Sequence, residues 1–99
     1  MPTKITFIID NPENPEQFET AFAAILEAAT EFPALQRIES AKVWPKEDGT
    51  PTPAYRTLDL YFASYDDANA AVATPTAGVV FGGLVQTGVT FTGLFSEIE

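Results

Sequence analysis

An α+β fold of ferredoxin-like order, β-α-β-β-α-β with a four-stranded antiparallel sheet, is what this sequence predicts. Three observations carry the prediction. Stretches of apolar and polar alternation recur near the start, in the middle and at the end of the chain. Stretches of helical periodicity, each opened by a capping residue, stand between them. A chain of 99 residues makes one domain, residues 1–99, and can bury about 60–65% of the surface its unfolded form exposes.

Lys4 to Asp10, KITFIID, sets Ile5, Phe7 and Ile9 on one face and Thr6 and Ile8 on the other, and is the first strand. In NPENPEQ, Asn14 can cap a helix, Pro15 suits its first position and Gln17 stands where a capping-box partner reaches back. Phe18, Phe22, Ile25, Ala29 and Phe32 then recur at helical spacing, with Leu26 beside them and Glu16, Glu19, Glu27 and Glu31 elsewhere. Pro33 stops that helix, because the residue before a proline is pushed out of the α region.

The second strand is QRIESAKVW, where Arg37, Glu39, Ala41 and Val43 oppose Ile38, Ser40, Lys42 and Trp44; its impure alternation predicts a bulge. The polar loop PKEDGTPTP, with Asp48-Gly49, reads as a hairpin connection that moves. AYRTLDLYF is the third strand, with Leu58, Leu60 and Phe62 opposing Tyr55, Thr57, Asp59 and Tyr61. Ser64 and Asp67 cap a second helix, SYDDANAAVA. Thr74-Pro75 restarts it for a short turn from Ala77 to Leu84, ended by Gly82 and Gly83. In the last strand, GVTFTGLFSEI, Val89, Phe91 and Phe95 oppose Thr90, Thr92, Leu94, Ser96 and Ile98.

Composition narrows the chemistry. There is no cysteine, so disulfides, thiolate metal sites and a cysteine nucleophile are excluded. There is no histidine either, which leaves general acid/base work to carboxylates, lysine or tyrosine. A net charge of −9, with only 5 scattered Lys and Arg, argues against nucleic acid and against an anionic membrane. No apolar run reaches transmembrane length, and MPTKITFIIDNPENP lacks the apolar core and cleavage site of a signal peptide, so the expected location is cytoplasmic.

Two helices cover one face of a four-stranded sheet. Ile5, Phe7, Ile9, Leu58, Leu60, Phe62, Val89, Phe91 and Phe95 belong under them. The other face carries Thr6, Ile8, Tyr55, Thr57, Asp59, Tyr61, Thr90, Thr92 and Leu94, too few charges for a solvated sheet. The expectation is a homodimer whose two sheets pack together as a dimeric α/β barrel.

The whole chain resembles the EthD family, small proteins of the dimeric α/β-barrel superfamily associated with degradation of ethyl tert-butyl ether. The resemblance rests on PEQFETAFAAILEAATEFPALQRIE, where the family has a Phe-containing helix leading to a Leu-Pro-Gly-Leu-Arg-Arg-like corner. It rests equally on DGTPTPAYRTLDLYFASYDDANAAVATPTA, a loop, a strand with an aromatic-rich end and a helix closed by a Ser/Thr-Pro step. Many members of the family carry a histidine about seven positions before the corner. Here that neighbourhood is Ile25 to Glu27, so a histidine-based function is not implied for this chain.

In the superfamily the cleft between sheet and helices can hold an aromatic substrate or haem. The residues here that match such a pocket are Phe7, Phe22, Ile25, Phe62 and Phe91, with Trp44, Tyr55 or Tyr61 at a mouth; the same aromatic stripe also reads as plain core. No cofactor and no metal are expected, and histidine-ligated haem is excluded. Asp59, flanked by Leu58 and Leu60, is a candidate general base, though such an acid also pairs with Arg37, Arg56 or a threonine hydroxyl. Tyr61 is the companion proton donor. Asp66-Asp67 reads as a helix cap rather than a cation site, and FGGLVQTG lacks the lysine and the setting of a phosphate loop.

Three readings of function follow. The first is an EthD-like accessory or small-molecule-binding factor in degradation of a small organic compound, with a small apolar or aromatic ligand. The second is a cofactor-independent monooxygenase, isomerase or cyclase acting on an aromatic or polyketide-like substrate. The third is a non-catalytic dimeric interaction module. A roomy cleft favours the first two and a packed interior the third.

Overall fold

Alternation along the first strand does what it must in a sheet covered on one side: every second residue is buried. The computed structural model describes all 99 residues. β1 (Thr3–Ile9), α1 (Pro15–Ala29), β2 (Arg37–Lys42), β3 (Arg56–Phe62), α2 (Tyr65–Ala71), α3 (Pro75–Gln86) and β4 (Phe91–Glu97) follow in order. The strands form one antiparallel sheet in the order β2-β3-β1-β4, so the two most apolar strands are central. This is the ferredoxin-like arrangement, with all the helices on one face.

Ile5, Phe7 and Ile9 of β1 and Leu58, Leu60 and Phe62 of β3 are buried against Phe18, Phe22 and Ile25 of α1 and Val80 and Leu84 of α3. Fully burying each such side chain contributes about 1.5–3 kcal/mol. α1 starts as its sequence dictates: the Asn14 side chain accepts a hydrogen bond from the Gln17 amide at 3.1 Å, and Pro15 holds the first helical position. α2 starts likewise, Ser64 Oγ accepting from the Asp67 amide at 3.1 Å.

Four expectations are corrected. The region after β3 folds as two helices, because α3 runs through Gly82 and Gly83 to Gln86 instead of stopping at them. Gly83 is there for packing: a Cβ on it would lie 2.8 Å from Ile25 Cγ1. The helix is ended instead at Thr87 and Gly88, whose φ of 79° suits glycine. α2 and α3 are bent 71° apart at the break between them, where Pro75 can only begin a new helix.

α1 ends at Ala29, short of Phe32. Residues 30–32 continue as tight i→i+3 turns that still bury Phe32. The corner then passes through Ala34 at a φ of 62°, the left-handed region that alanine enters at a cost of about 1 kcal/mol and glycine freely. β2 has no bulge, since Arg37↔Tyr61 through Lys42↔Arg56 pair without interruption; its polar pattern is that of an exposed edge strand. Val89 precedes β4, after the turn at Thr87 and Gly88, and Phe95, though it shares the helix face with Ile5, stays 43% exposed with only the Tyr65 ring of α2 beside it at 5.7 Å.

The loop from 43 to 55 is tied at its base by Val43 N–H to Tyr55 O at 3.0 Å, and Asp48 accepts from both the amide and the hydroxyl of Thr50 around Gly49. The opposite face of the sheet has no covering element. Thr6, Ile8, Thr57, Asp59 and Tyr61 are half-buried there by their neighbours, and Thr92 and Leu94 are exposed. No single helix is long and apolar enough to cross a membrane.

Candidate functional site

Helices pack as closely as their side chains allow, typically with axes 8–10 Å apart. α1 and α3 are in contact along their length, most tightly where Ile25 meets Gly83. Beside that contact part of the seam is lined by small residues. Ala21 and Ala24 look across at Gly78 and Gly82, and Cβ atoms added to either glycine would meet nothing within 4 Å. The result is a groove of about 1040 Å³ between the two helices, with the buried rings and chains of Phe18 and Ile25 in its wall.

Two loops complete the groove at the end where β1 leaves the sheet and β4 enters it. They are residues 10–14 and 87–90, linked by the Asp10 N–H to Thr90 O bond of 2.9 Å. Polar groups here are amides and hydroxyls, from Asn11, Gln17, Gln86 and Thr87, and the titratable ones are Asp10 and Glu13. No lysine, arginine or tyrosine lines the groove.

The other flank of α1 is filled. Arg56 donates from Nε to Glu19 Oε2 at 2.9 Å and from an Nη nitrogen to Oε1 at 2.6 Å, a bidentate pair, while its other Nη nitrogen reaches Ser40 Oγ at 3.0 Å. Its guanidinium lies 4.8 Å from the centre of the Phe22 ring, and Lys42 adds a second charge 3.5 Å from Glu19. The hydrogen bonds from Arg56 hold the Glu19 carboxyl at about 2, against the usual 4.5, with the Arg56 and Lys42 charges adding to them over the opposing effect of burial.

The residues expected to line a pocket separate into four environments. Phe7, Phe22 and Phe62 are in the core, each at most 2% exposed, so the space between sheet and helices is packed rather than hollow. Phe91 is half-buried against Phe7 at the β4 edge, 6.2 Å between ring centres. Ile25 alone lines the groove. Trp44 follows β2, is 87% exposed and lies away from it.

Asp59 and Tyr61 face the other way. Both project from the sheet face without helices, Asp59 accepting a short bond from the Thr6 hydroxyl with Lys4 Nζ 3.8 Å away. Tyr61 donates to Glu39 Oε1 at 2.6 Å under the Arg37 guanidinium, which stands 4.2 Å from its ring. Asp59 thus takes the threonine among the partners its sequence setting allowed, while the two arginines pair with Glu39 and Glu19. A molecule in the groove is on the wrong side of the sheet to touch either group. The signal for the groove was present in the chain, as small residues at helical spacing in Ala21, Ala24, Gly78 and Gly82; it is weak because helix interiors use alanine freely.

No protein-family model matches this sequence, and no curated protein matches it. Solved structures do. An EthD family protein from Bacillus halodurans superposes with a TM-score of 0.89 at 16% identity, covering 100% of both chains. A dimeric ferredoxin-like protein from Thermobifida fusca follows at TM-score 0.77 and 11% identity, covering 99% of this chain and 92% of that one. SnoaB, a cofactor-independent oxygenase from Streptomyces nogalater, superposes with TM-score 0.72 at 13% identity, over 98% of this chain and 92% of its own. At these identities the likeness is one of fold, the ferredoxin-like one.

Proposed function

We propose that this chain is a homodimeric, EthD-like binding protein that holds a small apolar or aromatic molecule between α1 and α3 and serves as an accessory factor in degradation of a small organic compound. The observation that carries the reading is the groove of about 1040 Å³, the scale of a small-molecule site, whose mixed wall sets Phe18, Ala21, Ala24, Ile25, Val79 and Val89 among amides and hydroxyls. The dimer rests on the uncovered sheet face and on the fold neighbour described as dimeric. Pairing sheet to sheet by a two-fold axis puts the same patch on both partners and should bury more than about 1,000 Å².

Native mass spectrometry of protein purified directly from cells tests both parts at once. The expected spectrum is a dimer that carries a small molecule lost on mild activation. A monomer at micromolar concentration would sink the pairing, and a dimer free of ligand would favour the interaction module.

The likeness to a cofactor-independent oxygenase supports a second reading, in which the paired sheets enclose Asp59 and Tyr61 and these two move the proton. That enzyme would lose turnover in the folded double variant Tyr61→Phe with Asp59→Asn; unchanged turnover removes both residues from the chemistry.

A further inference from the structure

The uncovered face of the sheet is balanced in charge, although the chain is strongly acidic. Across the strands the register sets Arg37, Tyr61 and Lys4 in one row and Glu39, Asp59 and Thr6 in the next. The row beyond, from Ala41 through Thr57 and Ile8 to Thr92, carries no charge. Two of the 5 cations and two of the 14 acids therefore lie on this face and cancel. Lys42, Lys46 and Arg56 with the other twelve acids leave the whole −9 to the rest of the chain.

An acidic macromolecule would meet Glu39 and Asp59 there and a basic one Lys4 and Arg37, whereas a second copy of the face supplies both signs in matching rows. The ion pairs within the chain leave room for it. Lys4–Asp59 spans 3.8 Å and Arg37–Glu39 3.6 Å, against 2.6 Å for the bidentate Arg56–Glu19 pair. The Tyr61 hydrogen bond and the Arg37 contact both fall on Oε1 of Glu39, which leaves Oε2 for a further donor.

We infer that the second copy docks about a two-fold axis running across the strands, so that the basic row of each sheet lies over the acidic row of the other and Arg37 meets the partner's Glu39. A two-fold axis along the strands would set each row on itself, cations over cations and acids over acids, at the cost of like-charge repulsion. The inference rests on the homodimer proposed above and specifies how its two faces recognise each other. Two chains of charge −9 can then associate through a surface that adds no net charge to the contact.

Arg37 and Glu39 serve the test because their side chains are 60% and 51% exposed on an edge strand. At low salt Arg37→Glu should weaken the dimer about tenfold, and adding Glu39→Arg should restore it. A pair inside one chain would give the same rescue, so the deciding measurement is native mass spectrometry of the doubly exchanged chain mixed with isotope-labelled unmodified chain. In a mixed dimer acid faces acid and arginine faces arginine. Mixed dimers should make up about a tenth of the total, against about half for random pairing, and the sorting should fade in 1 M salt. Lys46→Glu with Glu47→Lys, an exchange in the loop after β2, should mix freely. In the milder Arg37→Gln with Glu39→Gln the dissociation constant should rise about threefold. Free mixing of exchanged and unmodified chains, full-strength dimers of Arg37→Glu, or an unchanged constant in the glutamine variant overturns the inference and leaves the homodimer standing. A monomer for the unmodified chain at micromolar concentration overturns the homodimer and this inference with it.

Discussion

The two flanks of α1 are built on opposite plans. Toward β2 and β3 the helix is held by a bidentate Arg56–Glu19 pair, a second cation and a guanidinium laid over Phe22. Toward α3 it packs closely where Ile25 meets Gly83 but sets Ala21 and Ala24 beside Gly78 and Gly82, leaving a groove. A helix fixed firmly on one side can leave the other unfilled without drifting inward to close the gap. In this domain the open space is therefore not a hollow in the core, which is close-packed, but a seam between two helices.

The comparison breaks most visibly at the residue on which the filled flank rests. Phe22 is 2% exposed, stacks on Phe18 with 5.5 Å between ring centres and carries the Arg56 guanidinium. Phe22→Ala should lower stability by about 3–5 kcal/mol. Denaturant titration reads this directly, and a loss under about 1 kcal/mol would mean that α1 is anchored elsewhere.

The ion pair comes next. Glu19→Gln should cost about 1–2 kcal/mol, less than the shift of its carboxyl suggests, because water screens a partly exposed pair. The pH dependence has a definite sign. The carboxyl is held at about 2 in the folded chain and 4.5 is its ordinary value, so its contribution is complete above pH 4.5 and disappears as pH falls from there toward 2. Thermal melts across that window should show Glu19→Gln losing less stability than the unmodified protein. Parallel curves would mean that Glu19 does not hold the flank.

What the sequence made legible follows the same division. Strand and helix cores were readable because burial imposes a period, as in Ile5, Phe7 and Ile9 or Phe18, Phe22 and Ile25. The caps at Asn14 and Ser64 were readable because their chemistry is local. The groove was not, since an opening is a property of what two distant segments fail to fill, and alanine or glycine at one position does not say what stands opposite. Gly82-Gly83 misled for the same reason. Read locally the pair ends a helix; in the fold one member permits contact with Ile25 and the other faces the groove. Ala34 conceals its role likewise, because its residue type gives no hint of a positive φ.

Those adjacent glycines sharpen the comparison within a single turn of α3. A methyl group at Gly83 would sit 2.8 Å from Ile25 Cγ1, which is buried and cannot simply swing away. Overpacking outweighs the better helix propensity of alanine, and Gly83→Ala should lose about 1 kcal/mol. A neutral or stabilising result would show that the Ile25–Gly83 contact between α1 and α3 is slack.

Gly82→Ala should move stability the other way, and by the least. Nothing lies within 4 Å of the added Cβ, its backbone is ordinary helix, and the unfolded chain loses freedom when glycine is replaced. A gain of about 0.5–1 kcal/mol is expected in the same titration. The methyl group points into the groove, so the gain in stability should be accompanied by weaker binding of an aromatic probe such as naphthylmethanol. The two readings together separate a working site from a packing defect. Stability gained with binding unchanged would mean that the probe rests elsewhere on the molecule, whereas stability gained at the expense of binding would explain why a helix so free to take alanine keeps glycine in the wall of the groove.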